Sequence, residues 1–479
     1  MKKMRSLNNR RGERVPSLDS SLRDIARADE CHWWGQRRKF PFRSQDGIAR
    51  QFFRSLNLII ILFLFCHTLF GQGEISRQEY QSRIARLSAL LDTASVLVMK
   101  ATEMHPRTND VSYPYRQESN FLYMTGVTEP GCYFLLAPKG IMVGEKKARS
   151  VLFLPKNASS QNAGCDTVLD PAAFQQLFKQ AAESITTLYY SAPDIRFSTD
   201  WLNDRALFLD RDARRSFEEK HPGVKAKSAA SLFSKLREIK STEEILLMKK
   251  AIAMTGDGIR RAAARCAPGL KECELQAEIE YEGIRQGASG LAFTSIIGSG
   301  PNSVIPHYEA NRRTMESGDV VVMDVGAEYA GYAADVTRTL PVNGKFTPEQ
   351  RKVYQAVRHA QDEVFKIIKP GTTLGDLDKK ATEIIKQEGF GKFILHGVTH
   401  TVGLDVHDVS SSDVLRPGMV VTVEPGIYIP QATEGVPEGQ RGVGIRIEDD
   451  VLVTETGSEI LTNGIPREAE EIESMMRRK

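Results

Sequence analysis

The chain has 479 residues, enough for two or three domains with full cores, and its 41% apolar and 26% charged content is ordinary for a globular protein. Its formal net charge is +3, but residues 1–56 hold fourteen Lys or Arg and six Asp or Glu, so the remaining body is mildly acidic. No basic stripe lies in that body, which argues against a nucleic-acid-binding protein.

The first predicted element is an apolar run from Leu56 to Phe70, preceded by two arginines. About 15 apolar residues are short for a membrane-spanning helix and are typical of the apolar region of a signal peptide. Gly71 and Gly73 are small residues that suit cleavage before Glu74. Too many residues precede the run for a normal signal peptide, so we predict a later start and an exported protein, periplasmic or secreted. A membrane anchor and a cytoplasmic location are the alternatives.

After this extension (residues 1–73), residues 74–240 predict an N-terminal α/β domain. The segments "ASVLVMKA" and "ARSVLFLPK" are rich in Val and Leu and predict strands. The segments "QEYQSRIARLSALLD" and "AAFQQLFKQAAES" carry apolar residues at helical spacing. No catalytic constellation is visible in this domain.

Cysteine spacing gives no metal or redox motif. Without residues 1–73, four cysteines remain, and none belongs to a CxxC pair: Cys132, Cys165, Cys266 and Cys273. A disulfide and buried free thiols both remain open for an exported protein.

Residues 241–479 predict a second domain of mixed helices and strands. Ser241 with Glu244 forms a capping-box pattern, Thr347 precedes Pro348 at a second helix start, and a third helix follows Thr373. Pairs of strands flank these helices: "GDVVVMDVGAEY" with "GYAADVTRTLPV", then "GMVVTVEPGIYI" with "GVGIRIEDDVLVT". Adjacent strands followed by helices predict an α+β domain with an antiparallel sheet rather than a doubly wound one.

The first strand pair carries two aspartates, Asp324 and Asp335. A symmetric two-residue hairpin centred in the segment 328–331 would place them directly opposite each other. Like charges repel in that arrangement unless cations lie between them. A longer turn or another register would separate the pair.

Further acids and a histidine cluster follow. Glu424 ends an apolar strand, and period two places Arg446 and Glu448 on the face opposite two isoleucines. The segment "HGVTHTVGLDVHD" crowds three of the nine histidines into thirteen residues. Isolated acids in apolar strands are costly unless they are paired or bind metal. Four carboxylates with one imidazole suit Mn²⁺, Co²⁺ or Zn²⁺ in a paired site.

These segments resemble the aminopeptidase P and prolidase family of metallopeptidases. "VMDVGAEYAGYAADVTRT", "HGVTHTVGLDVHD", "TVEPGIYI" and "GIRIEDDVLVT" match its motifs in order and spacing, and "YPYRQESNFLYMTGVTEPG" resembles the N-terminal domain of aminopeptidases P. The resemblance implies a C-terminal pita-bread (creatinase/aminopeptidase) catalytic domain and an N-terminal creatinase-like α/β domain.

The resemblance also implies roles for single residues. Asp324 would bind one metal ion, His400 and Glu424 the other, and Asp335 and Glu448 would bridge the two. Glu424 would also take a proton from the attacking water. Four further residues would act on the substrate, at the scissile bond or in the pocket: His307, His396, His407 and Arg446.

The implied enzyme is a homo-oligomer, a dimer or a tetramer, that uses two divalent metal ions. Mn²⁺ is the first choice, and Zn²⁺ and Co²⁺ are the alternatives. The implied reaction is release of the first residue from peptides with proline in second position. The alternatives are an Xaa-Pro dipeptidase and a metal-free peptide-binding module.

Overall fold

A computed structural model describes residues 75–158, 164–191, 215 and 217–477 of the chain. The predicted extension and signal peptide, residues 1–73, lie outside the described residues, so the expectations for them stay predictions. In the part of the chain that the structure describes, no helix is both long enough and apolar enough to cross a membrane.

The N-terminal domain is a mixed sheet with helices packed against it. Its described strands are β1 (Ser95–Lys100), β2 (Pro106–Thr108), β3 (Val111–Ser112), β4 (Tyr133–Val143), β5 (Lys146–Phe153), β6 (Thr167–Leu169), β7 (Thr187–Ser191) and β8 (Lys225–Ser228). Its described helices are α1 (Arg77–Leu90), α2 (Ser119–Thr125), α3 (Phe174–Ala182) and α4 (Ala230–Arg237). The sheet runs β6-β5-β4-β1-β7-β8, and central β1 is antiparallel to β4 and parallel to β7. All four elements predicted here from sequence are confirmed.

The C-terminal domain contains small antiparallel sheets and two pairs of packed helices. Its described strands are β9 (Gly290–Leu291), β10 (Ile296–Ser299), β11 (Val320–Val325), β12 (Ala327–Tyr329), β13 (Tyr332–Ala333), β14 (Val336–Pro341), β15 (Val420–Val423), β16 (Gly426–Ile429), β17 (Val443–Arg446), β18 (Asp449–Val453) and β19 (Ser458–Ile460). Its described helices are α5 (Thr242–Arg265), α6 (Glu272–Arg285), α7 (Pro348–Phe365), α8 (Leu374–Gln387) and α9 (Ala469–Met475). The sheets are β10-β11-β14, β13-β12-β9, β15-β18-β19 and β16-β17.

Every strand pairing among the described strands β9 to β19 is antiparallel, which confirms the predicted α+β class. Helix α5 packs on α6, and α7 packs on α8. All residues of β11 and β14 are buried, so these strands are covered on both faces. Polar side chains on such strands therefore lie inside the domain, where they need partners.

The predicted helix starts are confirmed. Ser241 accepts a hydrogen bond from the backbone N–H of Glu244, whose side chain accepts one in return, so α5 begins with a capping box. Thr347 caps α7 in the same way, with Pro348 in its first turn, and Thr373 caps α8. These caps are local side-chain–backbone contacts, which explains why the sequence pattern located them.

The predicted register of the first hairpin is wrong. Asp324 pairs with Thr337 across β11 and β14, and the turn is closed by Tyr329 and Tyr332. The two central turn residues, Ala330 and Gly331, have φ values of 50° and 86°. Positive φ at both positions is the geometry of a type I′ turn, whose twist matches that of the strands. Glycine at the second central position allows the backbone to adopt this turn. The turn sets a strand register in which the two aspartates are not directly opposite each other.

One hydrophobic cluster joins the two domains. It contains Phe121 and Phe233 from the N-terminal domain together with Tyr332, Val402 and Leu404 from the C-terminal domain. None of these residues is more than 2% exposed to solvent. The tip of the hairpin and the histidine-rich loop therefore pack on the N-terminal domain.

The four described cysteines are free thiols. Burial raises the pKa of Cys132 to about 11 and the pKa values of Cys165 and Cys266 to about 12. Because the thiolate is the reactive form, these three side chains are chemically inert at neutral pH. Of the two alternatives left open by the sequence, the structure has free thiols.

Candidate metal centre

The five predicted metal ligands come from five separate places in the C-terminal domain. Asp324 lies in β11, Asp335 directly precedes β14, Glu424 directly follows β15, and Glu448 lies between β17 and β18. His400 lies in the histidine-rich loop, where its backbone N–H donates to Thr422 Oγ1 at 3.1 Å and its carbonyl accepts from Thr422 N at 2.9 Å. The loop is thereby attached to the edge of β15.

The structure brings these side chains together. The side-chain ligand atoms of Asp335, His400 and Glu448 all lie within 4.8 Å of one another. His400 Nε2 is 3.4 Å from Asp335 Oδ2 and 3.5 Å from Glu424 Oε1. His400 Nδ1 is 3.2 Å from the carbonyl of Thr401, so a proton on Nδ1 leaves the Nε2 lone pair directed at the carboxylates.

Asp324 stands at the other side of the cluster. Its Oδ2 accepts from Arg446 at 2.6 Å, whereas its Oδ1 is buried without a hydrogen-bond partner among the described residues. After burial, its charge is one of the causes that raise the pKa values of Asp335, Glu424 and Glu448, so it belongs electrostatically to the same cluster.

Burial and mutual repulsion make this cluster unfavourable as a set of bare carboxylates. Desolvation, followed by the neighbouring acids, holds the pKa values of Asp335 and Glu448 well above their usual range. Burial is also the largest cause that raises the pKa of Glu424 to about 7. Asp450, whose pKa burial raises to about 8, accepts from the backbone N–H of Asp335 at 3.1 Å.

Divalent cations fit this donor set. Three buried carboxylates, the partly exposed carboxylate of Glu424, one imidazole and an unpartnered oxygen on Asp324 form an oxygen-rich group that positive charge would stabilise. The described residues include no lysine or arginine that pairs with Asp335 or Glu448. The predicted ligands therefore remain the residues best placed to hold metal.

A second set of polar groups borders the cluster. Buried Arg446 donates to Asp324, to Thr337 Oγ1 at 3.2 Å and to Tyr428 OH at 2.7 Å. The Tyr428 hydroxyl also lies 2.7 Å from His396 Nε2. One tyrosine hydroxyl thus links the predicted substrate residues His396 and Arg446.

Tyr428 is a site residue that sequence reasoning missed. A signal was present, because Glu424, Gly426 and Tyr428 are spaced by two residues and strand alternation places such residues on one face. Gly426 is needed there, since a Cβ at this position would lie 2.5 Å from the Tyr428 hydroxyl.

The other two predicted substrate histidines also lie near the cluster. The ring of His407 stacks on that of His400, with centroids 3.9 Å apart. Burial, then the charges of His400 and His307, lowers the pKa of His407 to about 4. Burial is also the first cause of the lowered pKa of His396, and His307 contributes. His307 itself is exposed on a loop, next to Pro306, whose carbonyl accepts from Arg446.

A buried ion cluster holds the histidine-rich loop from the N-terminal side. Asp408 accepts from Arg237 and, at 3.0 Å, from Lys240. Arg237 also donates to Asp405 at 2.7 Å. We call Arg237, Lys240, Asp405 and Asp408 the loop clamp. Nothing in the sequence pattern pairs the two basic residues with the two acids, which lie more than 160 positions later in the chain.

Comparison with known proteins places these features in a family. Residues 246–455 match Metallopeptidase family M24, and residues 80–189 match the aminopeptidase P N-terminal domain. The chain is 35% identical over 442 residues to the Xaa-Pro aminopeptidase of Escherichia coli K12, covering 84% of this chain and 98% of that protein. It is 40% identical over 252 residues to the Xaa-Pro dipeptidase of Pyrococcus furiosus, covering 52% of this chain and 69% of that protein.

Solved structures agree. The structure of E. coli aminopeptidase P with the inhibitor Pro-Leu matches with a TM-score of 0.72 and 34% identity, covering 84% of this chain and 98% of that one. The zinc-substituted form in complex with product matches with a TM-score of 0.73 and 34% identity, covering 85% and 100%. The matches extend across both domains, so the predicted pita-bread domain and the N-terminal creatinase-like domain are confirmed.

Proposed function

Since the chain belongs to metallopeptidase family M24 and is a metallo-aminopeptidase of the aminopeptidase P type, we propose that it releases the first residue from peptides whose second residue is proline. The observation that carries the proposal is the convergence of Asp335, His400 and Glu448 within 4.8 Å. The names of the relatives that match along most of the chain support the proline preference.

Two divalent metal ions are the proposed cofactors. Asp324 would hold one, His400 and Glu424 the other, and Asp335 and Glu448 both. Mn²⁺ is the first choice, with Zn²⁺ and Co²⁺ as alternatives. Such ions supply positive charge that polarises the peptide carbonyl and makes a water acidic enough to attack at neutral pH.

Glu424 is the proposed proton acceptor. One of its oxygens lies 3.5 Å from His400 Nε2, and the other lies 3.7 Å from His396 Nδ1. The carboxylate thus stands between the metal ligands and the residues proposed to contact substrate. A base in that position can take a proton from water and pass it toward the departing amine.

The three histidines outside the metal-ligand set would bind and orient the peptide. His407, whose ring stacks on that of His400, would offer one N–H donor from a neutral imidazole without adding charge. His396 is held by Tyr428, which Arg446 also contacts, so these groups present donors from one side. His307 would approach from its exposed loop.

An Xaa-Pro dipeptidase is the second candidate. The 40% identity to the P. furiosus dipeptidase favours it, but that match covers only 52% of this chain. The match of residues 80–189 to the aminopeptidase P N-terminal domain favours the aminopeptidase. A metal-free peptide-binding module would not need all five ligand residues in place. Metal analysis of the purified protein tests this alternative.

The deciding experiment compares Ala-Pro-Ala, Ala-Pro and Ala-Ala-Ala with added Mn²⁺. The proposal expects rapid release of Ala from Ala-Pro-Ala and little from Ala-Ala-Ala. Cleavage of Ala-Pro alone would identify a dipeptidase. No cleavage of either proline peptide with Mn²⁺, Zn²⁺ or Co²⁺ would overturn the proposal.

Export and oligomerisation are parts of the same proposal. The apolar run from Leu56 to Phe70 followed by small residues supports a cleaved signal peptide. N-terminal sequencing of the native protein tests it, since a mature chain that keeps this run would contradict cleavage. Sedimentation of the purified protein tests the proposed dimer or tetramer.

A further inference from the structure

His307 lies on a long loop between β10 and β11. The loop leaves the sheet at Ser299, makes a short 3₁₀ turn over Gly300–Val304, and returns toward the start of α6 at Arg313. His307 is exposed near its middle. An exposed loop of this length needs fixed points if it is to hold a side chain at a reacting centre.

One carboxylate outside the metal centre supplies most of these fixed points. Glu272, the first residue of α6, is completely buried. Its Oε1 accepts from Ser299 N at 2.8 Å, from Ser299 Oγ at 2.7 Å and from Asn302 Nδ2 at 3.0 Å. Its Oε2 accepts from Tyr308 OH at 2.9 Å and from Arg313 N at 2.8 Å. Five donors, all from the loop, thus meet on one side chain.

The donors span most of the loop. Ser299 lies where the loop begins and Arg313 where it passes α6, and the backbone N–H of Glu272 also donates to the Arg313 carbonyl at 3.0 Å. Tyr308, the immediate neighbour of His307, reaches back to the same carboxylate. A carboxylate has about four lone-pair sites and no donor of its own, so these five donors use its full capacity and two of the three on Oε1 share one site.

The loop is attached on the other side of His307 as well. Arg446 donates to the carbonyl of Pro306 at 3.3 Å. His307 therefore stands between one residue held by the metal-centre arginine and one held by Glu272. Because Arg446 also donates to Asp324, this contact places the loop at the border of the metal centre.

We propose that Glu272 is the positioning residue of the His307 loop, and that its buried carboxylate sets where His307 stands relative to the bound peptide. This inference rests on the proposed function, because the role of His307 comes from the family. Glu272 contacts neither the predicted metal ligands nor the space between them, so it acts on the reaction only through the loop.

The first test is hydrogen exchange on metal-loaded Glu272→Gln. A glutamine amide keeps the shape but replaces one acceptor oxygen with a donor, so several of the five donors lose their partner. We expect faster exchange in residues 299–313, with metal content and the remaining peptides unchanged. Glu274→Gln is the matched control, since Glu274 lies on the same turn of α6 but is exposed. Unchanged exchange in the loop, or a rise spread over the whole protein, would overturn the proposal.

The second test is a double-mutant cycle with His307→Ala, measured with Ala-Pro-Ala. Misplacement of a reacting group by about 1 Å can cost about 100-fold in rate, so Glu272→Gln should lower kcat/KM by roughly 10-fold to 100-fold. In the His307→Ala background the same change should cost less than about 2-fold. An equal loss in both backgrounds would overturn the proposal, since a general structural role predicts it.

The failure of the proposed function would look different. A wild-type protein that cleaves no Xaa-Pro peptide would refute that function, and the exchange measurement would still decide whether Glu272 orders the loop. If Glu272→Gln does not fold, Tyr308→Phe removes one of the five donors and serves for both measurements. In that variant, exchange at 306–308 should rise and kcat/KM should fall.

Discussion

At the scale of single residues, Asp335 shows how the site combines burial with crowded charge. Its side chain is buried, and the acids Asp324, Asp450 and Glu424 all raise its pKa. Such a carboxylate destabilises the metal-free fold and becomes favourable when a cation balances it. The same residue should therefore affect activity and metal-free stability in opposite directions.

We predict that Asp335→Ala lowers activity by more than about 100-fold, since even partners of metal ligands cost about 10-fold to 100-fold when lost. The metal-free variant should be as stable as the wild type or more stable, because repulsion with the neighbouring acids is removed. Steady-state kinetics at saturating Mn²⁺ and thermal unfolding in chelator measure the two effects. Near-wild-type turnover would refute the proposed site.

Substitution of the two stacked histidines, His400 and His407, should affect metal binding and activity differently. His407→Ala should keep its metal and lose roughly 10²–10⁴ in kcat/KM, the range for a group acting in proton transfer. His400→Ala should lose metal first, and added metal should restore part of its activity. Elemental analysis beside kinetics separates the two. If both variants lose metal alike, the division of roles within the loop is wrong.

The sequence revealed the site residues whose signal lies in their own strand, and missed those whose role depends on contacts between strands. Asp324, Asp335, Glu424 and Glu448 are conspicuous because an acid in an apolar strand is unusual. The link from Arg446 through Tyr428 to His396 was not predicted, because it depends on two strands meeting in space. A tyrosine in an apolar strand ordinarily contributes to packing, so the spacing of Tyr428 from Glu424 did not by itself distinguish a site residue from a core residue.

At the scale of elements, the helices and the sheet class followed from local pattern, and the hairpin register did not. Caps such as Ser241 and Thr347 act within three residues, so sequence spacing contains the whole contact. Register depends on which two residues occupy the turn, and the segment before Gly331 offered more than one choice. The loop clamp was beyond any local pattern, since its partners come from different domains.

The loop clamp should support the metal centre from a distance. We predict that Arg237→Met destabilises the protein by about 3–5 kcal/mol, the cost of breaking a buried ion pair, and weakens metal binding. Lys249→Met is the control, because Lys249 is 42% exposed and pairs at the surface with Glu459, which is 49% exposed, an ion pair worth at most about 1 kcal/mol. Urea unfolding and metal titration measure both. An Arg237→Met protein with unaltered metal affinity would show that the clamp is purely structural.

At the scale of the whole molecule, metal and pH should act together on stability. The folded pKa values of Asp335, Glu424 and Glu448 are raised above the unfolded values of about 4. These groups bind more protons in the folded state, so their contribution to metal-free stability is largest at low pH and is lost as pH rises through the folded pKa values. Cations reverse this effect, because they favour the ionised form.

We therefore predict that metal removal lowers the Tm more at pH 8 than at pH 5. The measurement is thermal unfolding with and without chelator across that range. Asp335→Ala should show a smaller dependence on pH in its metal-free form, since one of the coupled acids is gone. A gap between the two forms that stays constant with pH would contradict the electrostatic account of the centre.

The loop clamp also has a consequence for the order in which the protein folds and binds metal. Translation delivers Arg237 and Lys240 well before Asp408, and domains that emerge first can fold first. The histidine-rich loop can therefore pack on a domain that has already folded, whereas Glu448, the last of the predicted ligands in the chain, is synthesised after it. Metal capture would then be the final step of maturation. After dilution from urea, helical circular dichroism should return before Mn²⁺-dependent activity, and simultaneous recovery would contradict this order.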